Sequence, residues 1–107
     1  MPFGPWLPLD GVTAPPGPGI LQARLDQGAK GLLDYPRGRS AMVYYDGDDD
    51  DLGVAVERLR AHAGGGAPCV YVRFCAPERE PPSAAAARLR ETFRRRFGSL
   101  PRWNGPD

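Results

Sequence analysis

Apolar positions recur along this chain in two periods, and each period marks its own kind of element. Ala41 to Tyr45 (Ala-Met-Val-Tyr-Tyr) is an unbroken apolar run of β-prone residues and predicts a strand. Ile20 to Leu25 alternates weakly after a Pro-Gly pair and predicts a second strand, and Pro68 to Cys75 a third. Leu32 to Tyr35 fits a short extra strand stopped by Pro36. The period then changes. Leu52, Ala55, Val56 and Leu59 stand at i, i+3, i+4 and i+7, which predicts an amphipathic helix. Ala86, Leu89, Phe93 and Phe97 repeat at the same helical spacing and predict a second helix over Ser83 to Phe97.

Helix and turn punctuation supports these elements. Asp48 or Asp49 can cap the first helix, the neighbouring carboxylates suit the positive end of its dipole, and Gly64-Gly65-Gly66 stops it after Arg58, Arg60 and His62. Ser83 is the expected N-cap of the second helix and Gly98 its C-terminal stop. Asp26 to Gly31 reads as a turn, Arg37-Gly38-Arg39-Ser40 as a loop, and Ala76 to Pro82 as another loop. Residues 1–19 carry Pro2, Pro5, Pro8, Pro15, Pro16 and Pro18, which excludes helix and central strand and predicts an extended arm. Phe3, Trp6, Leu7 and Leu9 give that arm apolar groups with which to lie along the domain. The expected fold class is α/β. Residues 20–107 form a single domain with a small three-stranded antiparallel sheet, a possible fourth short strand, flanking helices and β-β-α-β-α order.

Composition narrows the partners. A chain of 107 residues makes one domain with a modest core. A net charge of +1 argues against a globally basic nucleic-acid binder while leaving room for a local basic face. Of 14 basic residues only Lys30 is lysine, and with so much Ala, Gly and Pro this points to a GC-rich bacterial genome. Cys69 and Cys75, six apart on a strand, would lie about 20 Å apart, too far for a disulfide. Reduced thiols, no membrane-length apolar run and no secretion signal point to the cytoplasm.

Three constellations carry candidate chemistry. The second helix holds Arg88, Arg90, Arg94, Arg95 and Arg96, with Glu91 its one internal acid. Arg88 and Arg95 share one face, Arg90 and Arg94 another. Their guanidinium forks suit carboxylates and phosphates, and with Arg37 and Arg39 they are the expected binding surface. The acidic run places Asp46, Asp48, Asp50 and Glu57 at the carboxylate spacing of a calcium loop, but Asp51 stands where that loop needs glycine, so calcium is a weak alternative. His62, the sole histidine, has no nearby ligand set for a metal and no placed cysteine nucleophile.

The element order and several short motifs resemble the GIY-YIG endonuclease superfamily. Pro18-Gly19-Ile20-Leu21 looks like its first-strand motif, and Tyr45-Asp46-Gly47 like its second. Leu52 looks like the leucine that opens its first helix. Leu89 and Phe93, followed by Pro101-Arg102-Trp103-Asn104, look like its closing helix and ending. The resemblance implies a metal-dependent nuclease site, with magnesium or manganese, but this chain departs from it. Leu21 replaces the first tyrosine, Ala55 the helix arginine and Arg90 the metal-holding glutamate, and the segment between the strand motifs is longer than the family's. A divergent nuclease would have to use Tyr45, Arg58 and Glu91. The expectation is therefore a non-catalytic, GIY-YIG-like interaction domain with no cofactor. A protein partner is favoured and nucleic acid is possible. Contacts run through Arg37, Arg39, Arg88, Arg90, Arg94, Arg95, Trp103 and Asn104, and Tyr44 and Tyr71 are further aromatics of interest.

Overall fold

In a computed structural model that describes residues 2–25, 32–64 and 69–105, the elements in chain order are β1 (Leu7–Pro8), β2 (Gly19–Leu25), β3 (Leu33–Tyr35), β4 (Gly38–Ser40), β5 (Met42–Asp48), α1 (Leu52–Ala63), β6 (Val70–Cys75) and α2 (Pro82–Phe97), closed by a 3-10 turn over Arg102–Asn104. The expected turn at residues 26–31, two of the three glycines after α1, and Pro68 lie outside the described residues. The weakly alternating strand β2 is central. It pairs antiparallel with β5 on one side (Ile20 opposite Gly47, Gln22 opposite Tyr45) and with β6 on the other (Gln22 opposite Arg73).

Two expectations about strands are corrected. The main sheet has four strands in the order β1-β6-β2-β5, because the proline arm supplies an edge strand against β6. Gly4 and Leu9 extend that pairing by donating to Phe74 O and Val70 O, both at 2.9 Å, and Leu9 is fully buried. An edge position tolerates proline because its missing N–H can face away from the ladder. The segment Arg37 to Ser40 is also no plain loop. Gly38–Ser40 pairs with Leu33–Tyr35 as a separate two-stranded ribbon, turning through Pro36 and Arg37. Proline presets the backbone angle for the first central position of such a turn.

Alternation on β2 sends its side chains to two cores. Leu21 and Ala23 join Val70 and Val72 beneath the apolar stripe Leu52, Ala55, Val56 and Leu59 of α1. Ile20 joins Cys75 beneath Ala85 and Ala86 of α2, and Tyr45 packs with Phe93 of the same helix. The helices therefore cover opposite faces of the sheet. Both cysteines are free thiols, Cys75 buried and Cys69 exposed just before β6.

The acidic run divides its carboxylates among different tasks. Asp51, not Asp48 or Asp49, caps α1, accepting from Gly53 N at 2.9 Å. Asp48 closes the preceding turn, accepting from the amides of Asp50 (3.0 Å) and Asp51 (2.8 Å). Asp49 reaches across to α2 and accepts from both the amide and the hydroxyl of Ser83 at 2.8 Å. Ser83 is thus inside the first turn rather than the N-cap, since Pro82 opens the helix, and its orphan amide is capped by a tertiary contact. Gly98 ends α2 as expected, with a left-handed φ of 87° and its amide donating to Arg94 O at 2.8 Å.

Candidate interaction face

The basic end of α2 is assembled from three separate segments. Arg94, Arg95 and Arg96 occupy its last turn. The β3–β4 ribbon docks there through Arg37, whose amide donates to Phe97 O at 2.9 Å and whose Nη1 donates to Arg95 O at 3.0 Å. These bonds satisfy carbonyls that a helix end leaves without intrahelical partners. An aromatic cluster holds the ribbon down. Tyr35 meets Phe93 edge-on at 4.9 Å, and Phe93 meets Phe97 at 4.5 Å. The Tyr35 hydroxyl donates to Met42 O at 2.7 Å and accepts from Arg102 N at 3.1 Å, and Arg102 Nη2 donates to Asp34 O at 3.1 Å.

Six arginines gather at this end: Arg37, Arg39, Arg94, Arg95, Arg96 and Arg102. Two carboxylates pair with them. Asp34 takes Arg39 at 3.2 Å, and Glu91 takes Arg94 at 2.6 Å and Arg95 at 3.3 Å. The hydrogen bond from Arg94 holds the Glu91 carboxyl below its ordinary pKa. Arg96 lies over the Phe97 ring at 5.3 Å. The face is strongly cationic, and helix C-terminal carbonyls behind it favour positive charge.

The other expected binding residues make contacts within the fold. Arg88 pairs with Glu80 away from this end. Arg90 Nη1 donates to Tyr45 O at 3.0 Å. Asn104 bonds the same backbone, and Trp103 is half-buried against the α1-side core.

Of the residues a nuclease would need, Arg58 lies across the sheet from Tyr45 and from α2, which carries Glu91. Tyr45 lies on the α2 face, 7% exposed, with burial pushing its pKa up to about 12. Arg58 projects from α1 on the opposite face, donating from Nε to Asp46 Oδ2 at 2.7 Å and lying 3.5 Å from Asp48. Glu91 is committed to two arginines. Leu21 and Tyr45 face opposite cores, so the positions that resemble the two motif tyrosines do not share a site. The calcium candidates also diverge. Asp46 accepts from Tyr44 (2.9 Å), Gly47 N (2.8 Å) and Arg58, while Glu57 pairs with Arg60 at 2.6 Å. Among the described residues no three His, Cys, Asp or Glu side chains are grouped to hold a metal.

Two clusters escaped the sequence reading. Tyr44, Asp46, Arg58 and His62 form one network, with the Tyr44 and His62 rings 5.1 Å apart. The i, i+2 spacing of Tyr44 and Asp46 and the i, i+4 spacing of Arg58 and His62 were its available signal. The second cluster joins Arg24 and Arg73 to the arm, and no local pattern announces it.

No protein-family model, curated protein or solved structure matches the chain. Among the described residues no helix is long and apolar enough to cross a membrane.

Proposed function

We propose that this chain is a non-catalytic interaction domain of GIY-YIG-like build that docks an acidic protein surface on the basic end of α2. The observation that carries the reading is the convergence of Arg37, Arg39, Arg94, Arg95, Arg96 and Arg102 against the paired carboxylates Asp34 and Glu91. Ribbon, helix end and closing turn are bonded to one another, so these guanidiniums are held on an ordered frame and lose less freedom on binding. A protein is preferred to nucleic acid because the rings at this end, Tyr35, Phe93 and Phe97, pack on one another rather than standing out for base stacking. The family likeness is supported by the register that sets Ile20 beside Gly47 and by Asn104 returning to Tyr45. The placement of Arg58 across the sheet from Tyr45, and the pairing of Glu91 with two arginines, support the absence of catalysis.

Fluorescence anisotropy with a labelled polyglutamate peptide and with single- and double-stranded DNA and RNA tests this reading. Samples at two salt concentrations with magnesium or manganese are also run on gels. The reading expects salt-sensitive peptide binding that the folded double variant Arg39→Glu, Arg96→Glu loses. Tighter, salt-steep binding to a nucleic acid would transfer the face to phosphates. Cleaved bands would restore the nuclease.

A further inference from the structure

Two arginines stand together on the sheet face that α2 leaves open. Arg24 on β2 and Arg73 on β6 are near neighbours on adjacent strands, since Arg73 lies opposite Gln22. Both guanidiniums lie over the same indole of the arm: Arg24 at 4.2 Å and Arg73 at 4.5 Å from the Trp6 centroid. Phe3 adds a second ring at 4.7 Å from Arg73. Arg73 Nε donates to Oε1 of the buried Gln22 at 2.7 Å, which orients the fork.

Charge is what distinguishes this pair. Every ion pair formed among the described residues lies elsewhere, and neither Arg24 nor Arg73 takes part in one. Arg24 Nε is buried without a hydrogen-bond partner. Like charges close together on a partly desolvated surface repel, and the pKa of Arg73 is lowered by burial first, with Tyr45 acting against this and the charge of Arg24 adding to it, while the guanidinium stays charged. Cation–π contact with Trp6 and Phe3 offsets part of this cost but supplies no negative charge. Two guanidiniums carry ten N–H donors between them, far more than Gln22 can accept. An anion of about two charges with several acceptor oxygens meets both needs, and that describes a phosphate monoester group better than a carboxylate.

We infer that Arg24 and Arg73, backed by Trp6 and Gln22, form a binding site for a phosphate group. The site is independent of the basic end of α2. Arm and sheet build it together, so the proline arm belongs to the site rather than to a tail.

Inorganic phosphate is the probe, titrated into the full chain at constant ionic strength, with sodium acetate as the parallel arm. Trp6 reports through fluorescence in a Trp103→Phe background, and thermal melting of the native chain reports independently. The expected result is a saturating fluorescence change with phosphate and a rise in melting temperature of roughly 4–8 °C at about ten times the half-saturating concentration. Arg24→Met, which keeps the apolar stem over the indole, should lose both responses, while Arg96→Gln at the other basic face keeps them. Arg24→Lys retains charge without the fork and should weaken binding roughly threefold or more, which covers the case where the methionine variant fails to fold. Absence of a phosphate response in the native chain, an equal response to acetate, or full retention in both Arg24 variants would overturn the site.

Discussion

Asn104 holds the backbone of Tyr45 as a neighbouring strand would. Its Oδ1 accepts from Tyr45 N at 3.0 Å and its Nδ2 donates to Tyr45 O at 2.9 Å. Strand β5 is an edge of the main sheet, and such an edge invites pairing with another chain. Two residues on, Gly47 is occupied as well: its amide donates to Asp46 Oδ1 and its carbonyl accepts from Arg58 at 3.2 Å. Side chains therefore plug this stretch of edge.

Asn104→Ala should remove one plug. The Tyr45 amide loses its partner while the carbonyl keeps Arg90, so the expected loss is about 1–2 kcal/mol in denaturant unfolding. The exposed edge should also raise self-association, read by light scattering against the native chain. A variant equally stable and equally monodisperse would show the pairing to be incidental.

Gly47→Ala should destabilise more through sterics than through conformation. A Cβ there would stand 2.5 Å from Pro82 O, 2.8 Å from Pro82 C and 2.9 Å from an Ile20 methyl. Backbone at the start of α2 cannot yield as a flexible side chain can, so the helix must shift away from the sheet. The expected cost is about 1–3 kcal/mol in chemical denaturation. An unchanged midpoint would mean that α2 is free to move.

Asp48 sets an acid limb. Hydrogen bonds from the amides of Asp51 and Asp50 hold its pKa below the ordinary value of 3.8, and Arg58 adds to this. A carboxyl with a depressed folded pKa takes its proton first in the unfolded chain. Its stabilisation is therefore complete above about pH 4 and is lost as pH falls through the folded pKa. Asp48→Asn should flatten this part of the acid unfolding curve, and an unchanged acid limb would assign it to other carboxylates such as Glu91.

Tyrosines set the alkaline limb. Burial pushes the pKa values of Tyr44 and Tyr45 up to about 12, and Asp46 adds to the effect at Tyr44. The unfolded chain then releases these protons first, near pH 10. Stability from the two hydroxyls is intact below that pH and declines as pH rises toward 12. Tyr45→Phe should reduce the steepness of the alkaline unfolding curve. Equal steepness in the variant, followed through tyrosinate absorbance, would show that Tyr45 ionises normally.

Periodicity in the sequence determined the local elements. The spacing of Leu52 to Leu59 and of Ala86 to Phe97 reflects one buried stripe per helix, and both helices formed there. The β-prone runs became β2, β5 and β6, and Gly98 stopped α2 through its left-handed backbone, because each of these signals is paid out within a few residues. Other outcomes depended on residues far apart in the chain. Arm prolines did not announce an edge strand, since pairing with β6 is decided by what lies across the sheet. Asp49 could not be known as the cap of a helix that begins 33 residues later, nor Arg90 as a donor to the Tyr45 carbonyl. The arginines of α2 formed one group by composition, and tertiary structure divided them. Arg88 went to Glu80, Arg90 to the sheet edge, and the last turn to a basic face completed by the ribbon and Arg102. Charge in a sequence is a sum, whereas charge at a surface depends on which neighbours the fold brings within reach, and only the folded chain places Arg24 and Arg73 over one indole.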